Sequence, residues 1–201
     1  MKKGEATRLR IADEAAALFN TRGYAATSIS DVMAATGLQK GGIYGHYASK
    51  DALAVAAFER ALARVSVRFD RALAASASPA ERLSILIGEM RRHVTDPVVP
   101  GGDPLLNAAA EVDDGVHEML RTRVREAFGQ LTRLVRRTVE RGQRAGELRA
   151  DADAEAFAAL FVAALEGAVL VGRLFGDVAA FDRIADGLRA VIARDLVGAE
   201  V

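Results

Sequence analysis

The sequence of 201 residues predicts an all-α protein, and three features support this fold class. Alanine, leucine, glutamate and arginine dominate the composition and favour helices, whereas only four prolines are present. Apolar residues recur at intervals of three and four over most of the chain, which is the period of an amphipathic helix. Because 51% of the residues are apolar, these helices can enclose a sizeable core.

The first two helices are defined by apolar spacing and by the residues at their ends. Helix 1 begins at about Arg8 and ends at the glycine of "TRG". Thr27 or Ser28 caps helix 2, and Asp31, three residues after Ser28, completes a variant of the capping box. Gly37 ends this second helix after barely two turns.

A short third helix, from about Gln39 to Tyr47, lies in a segment that is unusually rich in glycine. The stretch "LQKGGIYGHYASK" contains three glycines, and each glycine inside a helix costs about 1 kcal/mol relative to alanine. Helix 2, the turn "ATGL" and helix 3 together predict a helix-turn-helix, whose second helix presents its first residues to the major groove of DNA. In that setting, Gly41 and Gly42 let the backbone approach phosphates and base edges. Ile43 and Tyr47, which are four positions apart, are expected to pack inward against Leu18, Phe19 and Val32.

The remaining helices are longer and mark a change in organisation near residue 50. They are predicted from near Asp51 past Phe69, from about Pro79, from Leu105, along an apolar stripe from Val116 to Val139 that ends near Gly146, over residues 152–175 and over residues 179–196. We therefore predict a helix-turn-helix domain at residues 1–50 and a second helical domain at residues 51–201. The first carries seven lysines and arginines against four acidic residues, so it is net basic although the whole chain is neutral.

Composition also limits the class of protein. The chain contains no cysteine, and its first residues are amphipathic and charged where a secretory signal would be apolar, so we predict a cytoplasmic protein. It shows no nucleophile motif, phosphate-binding glycine loop or dinucleotide fingerprint, so we predict no enzyme activity and no cofactor. A helical enzyme and a membrane-associated protein remain as alternatives. Neither should bind DNA from the region upstream of its own gene, so a DNA-binding measurement would separate both from a DNA-binding protein.

Two histidines and several carboxylates raise the question of a metal site. His93, His117, Glu111, Asp113 and Asp114 can be grouped on paper, but the histidines are separated by a proline-rich loop. The stretch "HEMLR" begins like a zinc-protease helix but has arginine where the second histidine is required. We predict that the protein holds no metal.

The run at residues 156–172 is apolar on every side except at Glu166. It is shorter than the roughly 20 residues that a bilayer requires, and it carries a charge near its middle, so a buried helix of a soluble protein is favoured. One small domain covers only part of such a helix, which predicts a subunit interface. The predicted interface is the face formed by Ala164, Gly167, Ala168, Val171 and Gly172.

The stretch "GYAATSISDVMAATGLQKGGIYGHYASKDAL", residues 23–53, resembles the DNA-binding domain of TetR-type transcriptional regulators. The shared pattern is Gly-Tyr before the cap, Thr-Ser at the start of helix 2, Lys-Gly in helix 3, and Tyr-x-His-aromatic followed by Ser-Lys. The resemblance implies a homodimeric regulator, usually a repressor, that binds a palindromic operator and leaves it when a small molecule binds the C-terminal domain.

The resemblance also assigns residues to DNA and effector. The positions that match contacts to bases are Gln39, Lys40 and Gly41, and those that match contacts to phosphates are Thr27, Tyr44, His46 and Lys50, with Ser28 beside them. The helices that surround the effector in this family carry Phe58, Leu62, Met90, His93, Leu106, Asn107, Glu111, Met119, Leu120, Phe128 and Phe161. Because most of these are apolar, we expect a hydrophobic effector with one or two polar groups.

Overall fold

The computed structural model describes residues 3–74, 76, 78–112 and 117–197, and this part of the chain forms helices and turns without a strand. The helices are α1 (Lys3–Arg22), α2 (Ile29–Thr36), α3 (Lys40–Tyr44), α4 (Lys50–Ala74), α5 (Pro79–Thr95), α6 (Pro104–Glu111), α7 (Glu118–Ala145), α8 (Ala154–Phe175) and α9 (Val178–Val191), followed by a π-helical segment (Ile192–Val197). The predicted all-α fold class is confirmed. Val116, placed in the stripe of α7, lies outside the described residues.

Helix 2 begins and ends as its sequence predicts. Ser28 is the N-cap: its hydroxyl accepts the Asp31 N–H at 3.2 Å, and the Asp31 carboxylate accepts the Ser28 N–H at 2.7 Å. These reciprocal bonds satisfy two backbone donors that no helical carbonyl can reach. Gly37 ends the helix in the left-handed conformation with φ of 68°. The capping box is confirmed, and Ser28 rather than Thr27 provides it.

Three of the helical boundaries differ by three residues or more from those predicted. α9 ends at Val191 rather than at residue 196, and the π-helical segment continues from it. α1 begins at Lys3, five residues before the predicted start, because its first turn is polar and carries no apolar period, although Glu5 suits the positive end of the helix dipole. α3 ends at Tyr44 rather than at Tyr47. Beyond it the chain continues in a tight turn, in which the Tyr47 N–H still donates to the Ile43 carbonyl at 3.1 Å.

The chain divides into two compact units. The first comprises Met1–Ser66 and Pro97–Ala127, and the second comprises Val67–Asp96 and Phe128–Val201. The division falls within α4 and within α7, since each of these helices contributes residues to both units. The predicted domains, 1–50 and 51–201, concern function and stay a prediction.

The core of the first unit joins α1, α2, α3 and the start of α4. Ile43 and Tyr47 are buried in the same apolar cluster as Val32, and Leu18 and Phe19 pack against it. The Tyr47 hydroxyl donates to the Arg8 carbonyl at 2.9 Å, so this buried ring keeps its polar atom paired. The inward packing predicted for Ile43 and Tyr47 is confirmed.

The segment before α6 is tied to the C-terminal end of α1. The Asn107 amide donates to the Asn20 carbonyl at 3.1 Å and to the Gly101 carbonyl at 2.9 Å. The Asn20 amide donates in return to the carbonyls of Pro100 and Gly102, at 2.7 and 3.0 Å. Because two amide side chains hold four backbone positions, this junction fixes where α6 begins.

The second unit is built around α8, which contacts both α5 and α9. Ala168 is fully buried, and a side chain at Gly172 would meet Val94 and Phe181 at 3.3 Å. Both small residues therefore serve the packing of α8 inside its own unit. They are not available to a second subunit, and this part of the predicted dimer face needs correction.

The opposite face of α8 is apolar and open. Leu170 is 52% exposed and Leu174 is 74% exposed, and Gly167 and Val171 are half-buried beside them. With Leu160, which is also exposed, these residues form a stripe at spacings of three, four and seven along the helix. We call Leu160, Ala164, Gly167, Leu170, Val171 and Leu174 the open face of α8.

Within the described part of the chain, α8 is the one helix long and apolar enough to cross a membrane. This is weak evidence for a span, because the core helix of a soluble protein has the same length and composition. Part of the helix is buried against α5 and α9, as expected of a core helix.

Candidate nucleic-acid interface and ligand cleft

The first residues of α3 form an exposed surface on a buried anchor. Gln39 is the N-cap of α3, and its side chain makes no capping bond, so it points no donor or acceptor back into the helix. Lys40 and Tyr44 are exposed, and the Lys40 ammonium lies 5.9 Å from the centre of the Tyr44 ring. Ile43, on the opposite side, is fully buried. One side of α3 is therefore fixed in the core while the other is free to contact a partner.

The glycines of α3 are not explained by packing within the protein. A side-chain carbon at Gly41 would meet no atom within 4 Å, and one at Gly42 would be in ordinary contact with Leu38 at 3.5 Å. Neither residue has a positive φ. Since alanine would fit at Gly41 and favour the helix by about 1 kcal/mol, the missing side chain points to a requirement outside the folded chain.

The residues predicted to contact phosphates differ in the exposure of their side chains. Ser28 and Tyr44 are exposed and His46 is half-buried, and the Ser28 hydroxyl is also hydrogen-bonded to Asp31. Thr27 is fully buried, and its hydroxyl donates to the Gly23 carbonyl at 2.8 Å. This side chain holds the turn before α2 and is not available to a phosphate, so Thr27 does not belong to the exposed surface.

Lys50, at the start of α4, is held by the turn that follows α1. Its ammonium donates to the Tyr24 carbonyl at 2.7 Å and lies 4.1 Å from the centre of the Tyr24 ring. Burial lowers the pKa of Lys50, and the nearby carboxylates of Asp51, Glu111 and Asp31 oppose this effect. Two of the three N–H donors remain for a further partner, at a position that Tyr24 fixes.

Tyr24 is the centre of a polar cluster in the first unit. Its hydroxyl donates to the Asp51 carboxylate, and burial is the larger of the effects that raise its pKa. The centres of the His117 and Tyr24 rings are 4.2 Å apart, and the His117 Nδ1 is 3.5 Å from the Asp51 carboxylate. The Glu111 carboxylate accepts the Ala25 N–H at 3.2 Å. The C-terminal end of α6 thus touches the turn that leads into α2.

The glycine at position 23 makes this last contact possible. Gly23 has φ of 87°, a conformation that side-chain-bearing residues rarely adopt, and a side chain there would collide with the Glu111 carboxylate. The Gly-Tyr pair before the cap therefore has two structural roles. Gly23 admits Glu111, and Tyr24 binds Lys50 and Asp51.

A cleft lies beside this cluster within the first unit. It has a volume of about 410 Å³, part of which is open to solvent. Its lining comprises Ala16, Phe19, Asn20, Tyr24, Ala54, Ala57, Phe58, Ala61, Pro104, Asn107, Ala108, Glu111 and Leu120. Four predicted effector positions meet here, namely Phe58, Asn107, Glu111 and Leu120.

The other predicted effector positions lie elsewhere. Leu62 and Leu106 are half-buried and Met119 is exposed in the first unit, while Met90, His93, Phe128 and Phe161 belong to the second unit. Met90, His93 and Phe161 are buried in packing. Sequence reasoning missed Phe19, Asn20 and Tyr24 as lining residues because all three precede the predicted domain boundary, although Tyr24 stood out in the Gly-Tyr pattern.

Asp113 and Asp114, two of the five residues considered as metal ligands in the sequence, lie outside the described residues. Among the residues that the structure does describe, no three histidine or acidic side chains come together in a group that would hold a metal ion.

Two family models match the chain. Residues 11–57 match the model described as bacterial regulatory proteins, tetR family, and residues 79–188 match the model described as the tetracyclin repressor-like C-terminal domain. The second match alone spans more than half of the chain.

Solved structures match over nearly the full length. A TetR transcriptional regulator from Chloroflexus aurantiacus J-10-FL is 40% identical over 98% of both chains, with a TM-score of 0.92. A TetR-family regulator from Cytophaga hutchinsonii is 32% identical over 96% of both chains, with a TM-score of 0.88. The HTH-type transcriptional repressor KstR of Mycobacterium tuberculosis is 32% identical over 85 residues, so the match spans 39% of that repressor.

Proposed function

The chain belongs to the TetR family of bacterial regulatory proteins, and from this premise we propose that it binds a palindromic operator as a homodimer and releases it when a small effector binds. The family consists of transcriptional regulators and not of enzymes, which sets aside the alternatives of a helical enzyme and a membrane protein. We place the protein in the cytoplasm, where its DNA is.

The exposed side of α3 is the observation that carries this proposal. Gln39, Lys40 and Gly41 precede the buried Ile43 and face away from the core. A helix held in this way can enter the major groove with its first turn, where side chains reach base edges. Ser28, Tyr44, His46 and Lys50 then supply phosphate contacts, which set orientation rather than sequence preference. Thr27 contributes indirectly, because its hydroxyl holds the turn before α2.

The open face of α8 is the proposed dimer contact. Two recognition helices read a palindrome only when their domains are held roughly 34 Å apart, one turn of DNA. A two-fold axis brings the same face of each subunit together, and an apolar helix face with a small residue, Gly167, at its centre suits that arrangement. The proposed contact includes Ala164 and Val171 from the predicted face. Leu160, Leu170 and Leu174 belong to it as well, whereas Ala168 and Gly172 do not.

The cleft of the first unit is the proposed effector site, and residues 51–201 remain the proposed effector and dimerisation domain. The lining is mostly apolar with four polar side chains, as is usual for small-molecule sites. It also includes α1 residues, so the effector would touch the proposed DNA-binding domain directly.

Binding to DNA from the region upstream of its own gene tests the function. Fluorescence anisotropy with labelled duplexes should show an affinity for one upstream sequence at least about 1,000-fold above that for random DNA at the same salt concentration. Equal affinity for upstream and random duplexes would remove the proposed operator binding.

Two single substitutions separate phosphate from base contacts. Lys50→Ala should make the dependence of log K on log salt shallower by about one unit, because a lysine that neutralises one phosphate displaces about one counterion. Gln39→Ala should keep the slope and lose roughly 1–3 kcal/mol of discrimination against random DNA. Titrations at four salt concentrations measure both quantities. Arg137→Ala, an exposed cation on α7 in the second unit, is the control and should alter neither.

Gly41→Ala should stabilise the protein and weaken operator binding at the same time. Alanine meets no atom at this position and favours the helix by up to about 1 kcal/mol, but its methyl group would stand where the proposed interface approaches DNA. Thermal unfolding and anisotropy measure the two effects. Gly88→Ala in α5, where there is equal room, should raise stability without a change in DNA binding. Unchanged operator affinity for Gly41→Ala would show that this part of α3 does not meet DNA.

A further inference from the structure

We propose that the cleft of the first unit binds a small organic cation, with the Glu111 carboxylate as its counter-ion. This inference rests on the proposed function only in treating the cleft as the effector site. It concerns the chemical class of the ligand.

Charge in the cleft lies on one side chain. Among the described residues that line it, Glu111 alone is ionic, and nine others are aliphatic or phenylalanine. Asn20 and Asn107 are polar, but the amide N–H groups of both already donate to backbone carbonyls at the junction of α1 and α6. The Glu111 carboxylate has about four acceptor sites, and the Ala25 N–H occupies one of them at 3.2 Å. A ligand that donates a hydrogen bond to the Glu111 carboxylate therefore makes the strongest polar contact that the cleft provides.

Aromatic rings favour a cation over a neutral donor. Phe19, Tyr24 and Phe58 all contribute to the lining, and the centres of the Phe19 and Tyr24 rings are 5.5 Å apart. The negative face of an aromatic ring attracts an ammonium group, and the attraction increases where water is partly excluded. Ala54, Ala57 and Ala61 recur at intervals of three and four on α4 and leave room for an alkyl chain.

The neighbouring charges point the same way. Lys50, Asp51 and Glu111 lie close enough for both carboxylates to act on the pKa of Lys50. The formal charges of these three side chains sum to −1. A bound cation would balance this charge, whereas a bound anion would add to it in a partly desolvated site.

Three probes with the same alkyl chain test the charge requirement: pentylammonium, pentanol and pentanoate. Ligand-observed NMR and calorimetry on the wild-type protein should show pentylammonium binding about tenfold or more tightly than pentanol, since hydrogen bonds to a charged partner are about twice as strong as neutral ones. Pentanoate should bind most weakly. The amide signals of Ala25 and Glu111 should shift with pentylammonium. Equal affinities of pentylammonium and pentanol would overturn the proposal without any variant.

The second arm removes the charge and keeps the shape. Glu111→Gln should bind pentylammonium no better than pentanol, and its affinity for pentanol should equal that of the wild type. Glu118→Gln is the matched control. This substitution causes the same change in net charge, but at a largely exposed side chain of α7. If Glu111→Gln keeps the full preference for pentylammonium, Glu111 is not the counter-ion and the proposal fails.

Both arms are measured without DNA, so the two proposals can fail separately. A protein that binds its operator but shows no preference for pentylammonium overturns the cation site and leaves the regulator. A protein that prefers pentylammonium through Glu111 but binds no operator supports the cation site and overturns the proposed function.

Discussion

Replacing Leu170 and Leu174 together by glutamate should yield a folded monomer that no longer binds its operator with measurable specificity. Both leucines are more than half exposed on the open face of α8, so the substitutions remove little packing inside the subunit. In a two-fold contact, each subunit contributes the same pair, and four carboxylates would meet in one seam. Burying unpaired charges costs several kcal/mol, enough to separate a dimer held by an apolar seam.

Loss of the dimer should act on DNA binding through avidity. A monomer engages one half-site, and the second contact no longer follows at high effective concentration, which lowers the affinity by roughly 100- to 10,000-fold. Light scattering reports the mass in solution, circular dichroism reports the helices, and anisotropy reports operator binding. We expect the first and third to change while the second does not.

Two comparison variants make the result specific to the open face. Val67→Glu introduces a carboxylate at an exposed apolar position of α4 and should leave mass and operator binding unchanged. Ala168→Arg places a charge on the buried side of the same helix, so it should lower helicity rather than release folded monomers. A double-glutamate variant that stays dimeric and binds its operator would place the interface away from this face.

The start of the helix-turn-helix was predictable because its determinants are local. The cap at Ser28 depends on a residue three positions away, and the inward side of α3 follows from Ile43 and Tyr47 being four apart. A window of about ten residues shows both whether a polar side chain can cap a helix and whether apolar residues recur with the helical period. These predictions are confirmed.

Features set by distant parts of the chain were harder to predict. The small-residue pattern on α8 does not say which side faces α5 and α9, so Ala168 and Gly172 were assigned to the dimer although they are packed within one unit. The cleft joins Phe19 and Tyr24 to residues more than 80 positions away. A polar contact such as that between Glu111 and Ala25 has no periodic signal in the sequence.

Gly101→Ala should cause the largest loss of stability of any methyl-sized change proposed for this chain. Gly101 has φ of 88°, and a side-chain carbon there would lie 2.6 Å from the Asn20 carbonyl carbon and 3.0 Å from the Thr21 Cα. Those atoms belong to the backbone of α1 and cannot turn aside as a flexible side chain would. The loop must then leave α1, which breaks the bonds that Asn20 and Asn107 make across the junction.

The expected loss is roughly 3 kcal/mol or more in the free energy of unfolding, because backbone strain, a steric clash and the loss of partly buried hydrogen bonds coincide at one position. Gly146→Ala is the matched control: Gly146 also has positive φ, 72°, but a side chain there meets no atom within 4 Å. It should lose only about 1 kcal/mol, the cost of the left-handed conformation alone. Denaturant unfolding at one fixed protein concentration measures both, since the proposed dimerisation would make stability depend on concentration. The difference between the variants isolates the close approach of the loop to α1, and equal losses would mean that the loop is not held against α1 in solution.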